Sequence, residues 1–442
     1  MKTLEHLIGG LREREPHIPL FHQAAESLAR SIWPTLHDHP EWAALRIVER
    51  LCVPDRELRF RVDWVDDEGE VHSEVGWRIQ HSDLLGPYKG GLRFGSNVDR
   101  SALRFLAFEQ TFKGALTGLP LGGAKGGATF EPKGRSEGEV MRFCQAFMTH
   151  LADDLGPSID VPAGDMNVGP RELGYLFGAY RQRRSTGRGA LTGKPVGAGG
   201  IPLRIEATGF GLIYAVEAAL RDEKRALDGQ RVAISGAGNV ALHAAAKARS
   251  AGARVLTLSD TSGTGVWRDG LSQEALSEVA AAKDGGRPLL EVVESLGGSA
   301  HEGTPWDLEV DVALPCATQN ELGLEDARAL IDGGVGLVAE GANMPCTADA
   351  VAAFADGKVT RLPGKLANAG GVSVSAFEMA QNAQLEPWTR EAVDEKLRER
   401  MEDMHRRCVE HGGDGERVDY ERGANVASFL RLATAMNAQG VI

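Results

Sequence analysis

A strand-turn-helix-strand pattern at residues 231–260 constrains the fold more than any other feature of this 442-residue chain. The apolar segment RVAIS runs into GAGNVA, an alanine-rich stretch follows, and a second apolar segment, RVLTLSD, ends at Asp260. Gly236 would permit a tight turn, Gly238 would let a pyrophosphate approach the backbone, and Ala241 would pack helix against strand. Asp260 lies where an acid holds a ribose hydroxyl. The pattern predicts a dinucleotide-binding unit, with a non-binding α/β turn as the alternative.

The remaining sequence predicts an α/β protein of two domains. A chain of 442 residues exceeds the size at which one core keeps growing, and a Gly- and Pro-rich stretch at 186–209 suits a boundary. Before this stretch, helical periodicity within 1–50 and alternation at 57–83 predict helices and a hairpin of a mixed sheet. After it, apolar segments at 311–317 and 336–343 continue the sheet of the dinucleotide-binding unit.

Charge and composition argue against several classes of partner. The net charge of −13 disfavours nucleic acid and anionic membranes, which require a basic face. Five scattered cysteines without a Cys-x-x-Cys pair are typical of reduced thiols, not of disulfides or a zinc site. The sequence has no secretory signal pattern and no segment near the roughly 20 apolar residues of a membrane span. We expect a cytoplasmic protein that binds no metal.

Three lysines in the N-terminal half are candidate site residues: Lys89 in GPYKGGLRF, Lys113 in EQTFKGAL and Lys125 in GGAKGG. Ammonium groups that converge on one pocket repel one another, which lowers a pKa and attracts a dianionic substrate. GGAKGG is not a Walker phosphate loop, because Gly126 stands where that motif needs Ser or Thr. We expect GGAKGG to form a tight connection just before a strand, GATF, and we expect its glycines to let a ligand approach the backbone. Asp165, in DVPAGDMNVG, is either a proton relay or a loop cap.

Distinctive motifs are spread over nearly the whole chain, and they include KGGLRF, FEQTFKGALTGLPLGGAKGG, DVPAGDMNVG, EATGFG, SGAGNVA, LPCATQNEL, AEGANMP and ANAGGVSVSAFEMAQN. Together they resemble the motifs of one enzyme family, the glutamate dehydrogenases, and specifically the hexameric NADP-dependent type of bacteria and fungi. The resemblance implies a substrate-binding and oligomerisation domain at 1–200, joined by a C-terminal helix at about 418–442. It also implies a Rossmann-like NAD(P)-binding domain at 201–417, with a cleft between the two.

The resemblance further implies a homohexamer that converts L-glutamate reversibly to 2-oxoglutarate and ammonium. Lys125 matches the catalytic lysine, which activates the water that hydrolyses an imine, and Asp165 matches the proton-relaying acid. The other matched positions are Gln110 and Lys113 for the α-carboxylate, Lys89 and Ser375 for the side-chain carboxylate, Gly164 for substrate contact, and Thr208 and Asn239 for the cofactor.

The implied cofactor is NADP, with NAD less favoured. Asp260 would normally favour a ribose hydroxyl and repel a 2′-phosphate. The NADP-dependent enzymes that this chain resembles often have an acid at this position and bind the 2′-phosphate with nearby hydroxyls and a lysine. The candidates for these contacts here are Thr261, Ser262 and Lys133. Asn343 follows an apolar segment of the predicted sheet and is a cofactor contact or a structural turn residue.

Two alternative functions remain open from the sequence. A branched-chain or aromatic amino-acid dehydrogenase of the same superfamily would have an apolar residue at the position of Lys89, because a buried ammonium needs a carboxylate partner. Lys89 with Ser375 therefore favours a dicarboxylic substrate. A catalytically silent regulatory subunit would have no chemical need for Lys125 and Asp165, so their presence disfavours that alternative.

Overall fold

The computed structural model describes residues 3–184, 187–301, 303–413 and 417–441. The chain divides into two compact units. The first runs to Pro202 and also includes Val372–Val393 and the chain from Asn425, while the second comprises Leu203–Gly371 and Asp394–Ala424. Val372–Val393, which the predicted boundaries assign to the nucleotide-binding domain, thus groups with the first unit.

The first unit contains a mixed five-stranded sheet flanked by helices. The strands are β1 (Arg56–Val65), β2 (Val71–Ser82), β3 (Tyr88–Phe94), β4 (Gly123–Ala128) and β5 (Asp160–Gly164), in the order β1-β2-β4-β3-β5. The helices are α1 (Leu4–Arg14), α2 (Pro19–Asp38), α3 (Pro40–Ala44), α4 (Ile47–Leu51), α5 (Arg100–Leu116), α6 (Glu137–Leu151) and α7 (Pro170–Arg183). Strands β1 and β2 pair antiparallel, which confirms the predicted hairpin.

Strand β4 shows that the prediction for GGAKGG was wrong. The stretch is not a connection but the centre of the sheet, antiparallel to β2 and parallel to β3. A Cβ on Gly123 would lie 2.0 Å from Oγ1 of Thr111, and one on Gly127 would lie 2.2 Å from the carbonyl oxygen of Arg93. The glycines therefore let α5 and β3 approach β4, so their role in packing the chain explains them without a ligand.

The second unit contains a five-stranded parallel sheet, which confirms the predicted Rossmann-like fold. The strands of this unit, which form the parallel sheet and a second, smaller sheet, are β6 (Arg231–Ile234), β7 (Arg254–Val255), β8 (Thr257–Asp260), β9 (Gly263–Val266), β10 (Ser299–His301), β11 (Val312–Leu314), β12 (Leu337–Ala339) and β13 (Thr360–Leu362). The parallel sheet has the order β13-β12-β11-β6-β7, and β10-β9-β8 form a separate antiparallel sheet. The helices are α8 (Ala207–Asp222), α9 (Asn239–Ser250), α10 (Gln273–Asp284), α11 (Leu290–Val293), α12 (Leu324–Asp332), α13 (Ala348–Asp356) and α14 (Gly364–Ala367).

One strand prediction in the second unit needs a correction. The segment 254–260 is not a single strand, because it divides at Leu256. Strand β7 pairs with β6 in the parallel sheet, whereas β8 pairs with β9 in the antiparallel sheet. Asp260 therefore ends a hairpin strand, although the amide of Ser259 still donates to the carbonyl oxygen of Gly236 at 3.2 Å.

Each unit has its own apolar core. In the first, aromatic side chains of the sheet pack on α6, and Phe130 stacks on Phe143 with ring centroids 3.9 Å apart. In the second, Trp306 and Leu330 pack against Val338 of β12. Three further helices, α15 (Gly370–Gln384), α16 (Arg390–His411) and α17 (Tyr420–Gln439), follow. Within the described ranges, no helix has both the length and the apolar character needed to cross a membrane.

Candidate active site

Lys125 and Asp165, the two predicted catalytic residues, form an ion pair. Lys125 is buried in β4, and its Nζ is 2.9 Å from Oδ2 of Asp165, which follows β5 directly. Arg93 of β3 donates from Nε to the same carboxylate oxygen at 2.7 Å. Because β3 pairs parallel with both β4 and β5, the three side chains meet at one end of the sheet. The sequence analysis did not single out Arg93.

The electrostatics of this group favour a lysine that exchanges protons. Burial lowers the pKa of Lys125 below its ordinary value, and the charges of Arg93 and Arg78 lower it further, while Asp165 opposes them. Burial would raise the pKa of Asp165, but the charges of Lys125 and Arg93 outweigh it and lower that pKa overall. A carboxylate that stays ionised beside a lysine of lowered pKa is suited to proton transfer.

Buried side chains next to this group hold the strands in place. Arg78 of β2 donates from Nε to Oδ2 of Asp160 at 2.9 Å and from a terminal nitrogen to Oδ1 at 2.5 Å, with both side chains fully buried. It also donates to the carbonyl oxygen of Gly90 at 3.1 Å. Gln80 donates to Asp160 at 3.0 Å. This network joins β2, β3 and β5 around Lys125, and the sequence analysis missed it because it depends on strand order.

Helix α5 carries the predicted residues Gln110 and Lys113. The close approach of Gly123 to Thr111 places this part of α5 directly against β4. The Nε2 atom of Gln110 is buried and has no hydrogen-bond partner among the described residues. A buried donor without an acceptor is costly, so it suits an anionic ligand oxygen. Lys113 is half-buried on the same helix.

Lys89 is the most deeply buried of the three predicted lysines, at 1% exposure. Its Nζ donates to the carbonyl oxygen of Val161 at 3.0 Å and to Oγ1 of Thr192 at 2.8 Å. Ser375 of α15 is likewise 1% exposed. Gly164 ends β5, where a Cβ would lie 2.3 Å from the carbonyl oxygen of Val168. Thr192, a hydroxyl beside Lys89, was another residue that the sequence analysis did not name.

The glycine turn of the second unit has the geometry of a phosphate cradle. Gly236 has a φ of +86°, and Gly238 caps the N-terminus of α9. A Cβ on Gly238 would meet no atom within 4 Å, so the space before the helix N-terminus is open. Asn239 begins α9 and donates from Nδ2 to the carbonyl oxygen of Ile205 at 2.7 Å, while Thr208 is half-buried in the first turn of α8. This arrangement fits a pyrophosphate.

The carboxylate of Asp260 is neutralised within the second unit. Lys283 of α10 lies 2.5 Å from its Oδ2, and the Ser262 hydroxyl donates to Oδ1 at 2.5 Å. Burial would raise the pKa of Asp260, but the hydrogen bonds of Lys283 and Ser262 outweigh it and lower that pKa to about 2. The sequence analysis missed Lys283. Its positive charge compensates the negative charge of Asp260, so this acid need not repel a 2′-phosphate.

The remaining predicted cofactor residues are all exposed. Thr261 is exposed between Asp260 and Ser262, in the turn between β8 and β9. Asn343 is exposed after β12, and its Oδ1 accepts from Nδ2 of Asn368 at 3.1 Å. Lys133 is exposed in the first unit, in the segment after β4.

Comparison with known proteins agrees with this arrangement. The family described as Glutamate/Leucine/Phenylalanine/Valine dehydrogenase matches residues 199–440, and the one described as Glu/Leu/Phe/Val dehydrogenase, dimerisation domain, matches residues 54–182. The chain is 49% identical over 444 residues to the NADP-specific glutamate dehydrogenase of Salmonella typhimurium, covering 100% of this chain and 99% of that relative.

Solved structures give the same result. The crystal structure of Plasmodium falciparum glutamate dehydrogenase has a TM-score of 0.96 at 41% identity and covers 99% of this chain and 95% of that one. The hetero-hexameric glutamate dehydrogenase from Thermus thermophilus has a TM-score of 0.85 at 26% identity, covering 96% and 98%. With both family matches and full-length relatives in agreement, the chain belongs to the Glu/Leu/Phe/Val dehydrogenase family.

Proposed function

We propose that this protein is a glutamate dehydrogenase, which converts L-glutamate, water and NADP reversibly to 2-oxoglutarate, ammonium, reduced NADP and a proton. The family includes enzymes for four different amino acids, so membership alone does not select the substrate. The observation that carries the selection is Lys89, a cation at 1% exposure. A leucine, valine or phenylalanine side chain would place an apolar group against that ammonium, whereas the second carboxylate of glutamate neutralises it.

The first unit supplies the residues that hold and convert the substrate. Gln110 and Lys113 bind the α-carboxylate, and the unpartnered Nε2 of Gln110 supports this role. The other substrate contacts are assigned to Lys89 and Ser375, for the side-chain carboxylate, and to Gly164. Bound NADP would supply the acceptor for the hydride of the α-carbon. Lys125 then activates the water that hydrolyses the resulting imine, and Asp165 exchanges the proton with Lys125 across 2.9 Å.

The second unit supplies the cofactor site. The pyrophosphate is assigned to the open N-terminus of α9, with Gly236, Gly238, Asn239 and Thr208 as its proposed contacts. The 2′-phosphate is assigned to the group around Asp260, comprising Thr261, Ser262 and Lys283, with Lys133 of the first unit as a further cation. Asn343 completes the proposed contacts. The residue groups support a substrate-binding domain that comprises the first unit, including Val372–Val393 and the chain from Asn425, and a nucleotide-binding domain that comprises the second unit.

The assembly proposed is a homohexamer that works in the cytoplasm. Strand β1 lies at the edge of its sheet for ten residues, and a long edge strand of this kind is normally covered by another chain or element. The matched dimerisation-domain family, residues 54–182, includes this strand. The Thermus thermophilus relative is hetero-hexameric, and this chain would assemble from identical copies. Analytical ultracentrifugation tests the proposal, which requires six times the mass of the chain.

The assay that tests the function follows reduced nicotinamide absorbance with L-glutamate and either NADP or NAD. We expect turnover that is faster with NADP than with NAD, and faster with glutamate than with leucine, valine or phenylalanine. Absence of a signal with either cofactor would instead favour the silent regulatory subunit. Faster turnover of an apolar amino acid than of glutamate would favour the branched-chain or aromatic alternative.

Replacing Lys283 with methionine tests the cofactor site. We expect kcat/KM for NADP to fall by about 10- to 100-fold, because a charge-assisted hydrogen bond is removed and Asp260 is left to repel the 2′-phosphate. The kcat/KM for NAD should change by less than about 3-fold, since NAD has a hydroxyl in place of the 2′-phosphate. Arg328→Met, which removes an exposed cation of α12, is the control. An equal loss with both cofactors would contradict the assignment.

Replacing Arg93 with glutamine tests the electrostatics of Lys125. The neutral amine of Lys125 is the form that takes a proton, so kcat/KM for glutamate oxidation should rise with pH through the pKa of Lys125. Arg93 lowers that pKa, so its removal should move the rise to higher pH. Arg30→Gln, an exposed substitution in α2, provides the same change of charge as a control. An unshifted profile would remove Arg93 from this role.

A further inference from the structure

A buried ion pair lies next to Lys89 but has no role in the chemistry described above. Lys194 and Glu378 have side-chain exposures of 1% and 0%, and Nζ of Lys194 is 2.7 Å from Oε1 of Glu378. The second oxygen, Oε2, accepts from the amide of Gly193 at 2.7 Å. Lys194 also donates to the carbonyl oxygen of Leu191 at 2.9 Å. Both oxygens of Glu378 therefore hold one short segment, residues 191–194.

This segment carries the hydroxyl group that binds Lys89. Oγ1 of Thr192 accepts from Nζ of Lys89 at 2.8 Å, and the amide of Thr192 donates to the carbonyl oxygen of Pro162 at 3.0 Å. Gly193 has a φ of +82°, a left-handed conformation that glycine adopts without strain. The backbone thus bends at Thr192 and Gly193, and the Lys194–Glu378 pair holds the residue that follows the bend.

The other end of the ion pair lies on the helix that carries Ser375. Glu378 follows Ser375 by three residues in α15, so the two side chains lie on neighbouring positions of one helix face. Gln381, a further three residues on, donates to the carbonyl oxygen of Gly200 at 3.3 Å. Helix α15 is therefore joined to the 191–200 segment at two successive turns.

We propose that Lys194 and Glu378 are positioning residues that fix the segment of Thr192 relative to the helix of Ser375 and thereby set the enzyme's preference for a substrate with a second carboxylate. The proposal rests on the proposed function, because it assigns the side-chain carboxylate of glutamate to Lys89 and Ser375. In this proposal neither member of the pair binds the substrate directly. Lys194 and Glu378 act by fixing the positions of Thr192 and Ser375. A buried charge pair suits this role because it restricts the conformations of the segments that it joins.

The test replaces both charges together, as Lys194→Met with Glu378→Leu. Removing a single partner would leave a lone buried charge and threaten folding, whereas removing both is often tolerated. We expect kcat/KM for glutamate to fall by about 10- to 100-fold, the range for loss of a hydrogen bond to a charged group, mainly through KM. Turnover of L-norvaline, which lacks the second carboxylate, should change by less than about 3-fold.

Two further variants separate positioning from general damage. Lys194→Arg as a single substitution keeps the positive charge beside Glu378 and should retain most of the glutamate preference. Phe147→Leu, a buried substitution in α6, should lower stability without changing the ratio of glutamate to norvaline turnover. Equal losses for glutamate and norvaline in the double variant, or no loss for either, would overturn the proposal.

A second measurement does not depend on activity. Hydrogen-deuterium exchange of a peptide that spans residues 190–196 should be faster in the double variant, because the amide of Gly193 loses its acceptor. Unchanged exchange would mean that the pair does not hold the segment, whatever the kinetics show. If instead the unmodified protein fails to oxidise glutamate, the proposed function is wrong, and faster exchange would still establish the structural role of the pair.

Discussion

Replacing Lys125 with methionine is expected to lower kcat for glutamate oxidation by about 10³- to 10⁴-fold while NADP still binds. The amine that exchanges protons is removed, and positioned acid-base groups account for up to about this much of an enzymatic rate. Methionine has a similar length and no charge, and Asp165 keeps Arg93 as its partner, so the variant leaves no unpaired buried carboxylate. Steady-state kinetics and a cofactor titration on the same preparation give the two readouts.

Lys125→Arg distinguishes proton exchange from simple charge. Arginine retains the positive charge beside Asp165 but does not deprotonate in a protein. If Lys125 must pass through its neutral form, the arginine variant should be nearly as inactive as the methionine variant. Substantial turnover in the arginine variant would show that charge alone suffices, and substantial turnover in the methionine variant would remove the lysine from the mechanism.

The parallel sheet and the glycine turn could be predicted because they depend on local order in the sequence. A short apolar strand, Gly236, Gly238 and an alanine-rich helix follow one another within a few residues, and the strand and helix lie where this order places them. The break of segment 254–260 at Leu256 could not be predicted in this way. Both pieces are apolar, and only the partner strands decide which sheet each one joins.

The position of Lys125 could not be predicted because GGAKGG lacks every local sign of a strand. Glycine is depleted in strands, and four of the six residues are glycines. The stretch forms β4 because β2, β3 and α5 approach its backbone so closely that side chains are excluded at Gly123 and Gly127. That reason is tertiary, so the composition indicated a loop.

The residues missed at the site share one property, which is long separation along the chain from the group they serve. Lys283 lies 23 residues from Asp260, and Arg93 lies 72 residues from Asp165. Each is an ordinary charged residue in the sequence, and only the fold selects it from the many others. Lys89, Lys113 and Lys125 could be named earlier because glycines adjoin them or because they match a family motif.

Replacing Lys89 with leucine together with Ser375 with valine is expected to reduce kcat/KM for glutamate by about 10³-fold. The side-chain carboxylate would then face apolar groups, and burial of an unpaired charge is costly. The double variant removes two polar interactions with this carboxylate. The loss of each one lowers kcat/KM by about 10- to 100-fold, and the two losses together account for the expected effect. Initial rates with glutamate, L-norvaline and L-leucine measure the change, and we expect the two apolar amino acids to lose much less than glutamate, or to gain.

The two single variants, Ser375→Val and Lys89→Leu, show how much each residue contributes to the effect of the double variant. Ser375→Val retains the ammonium of Lys89 and should cost less than Lys89→Leu, because a neutral hydroxyl contributes less than a charge. Lys89→Leu also leaves Oγ1 of Thr192 and the carbonyl oxygen of Val161 without this donor, so a NADP titration must show that the protein remains folded. If glutamate turnover survives the double replacement in a folded protein, Lys89 does not select the second carboxylate. The choice among the four substrates of the family would then lie elsewhere in the chain.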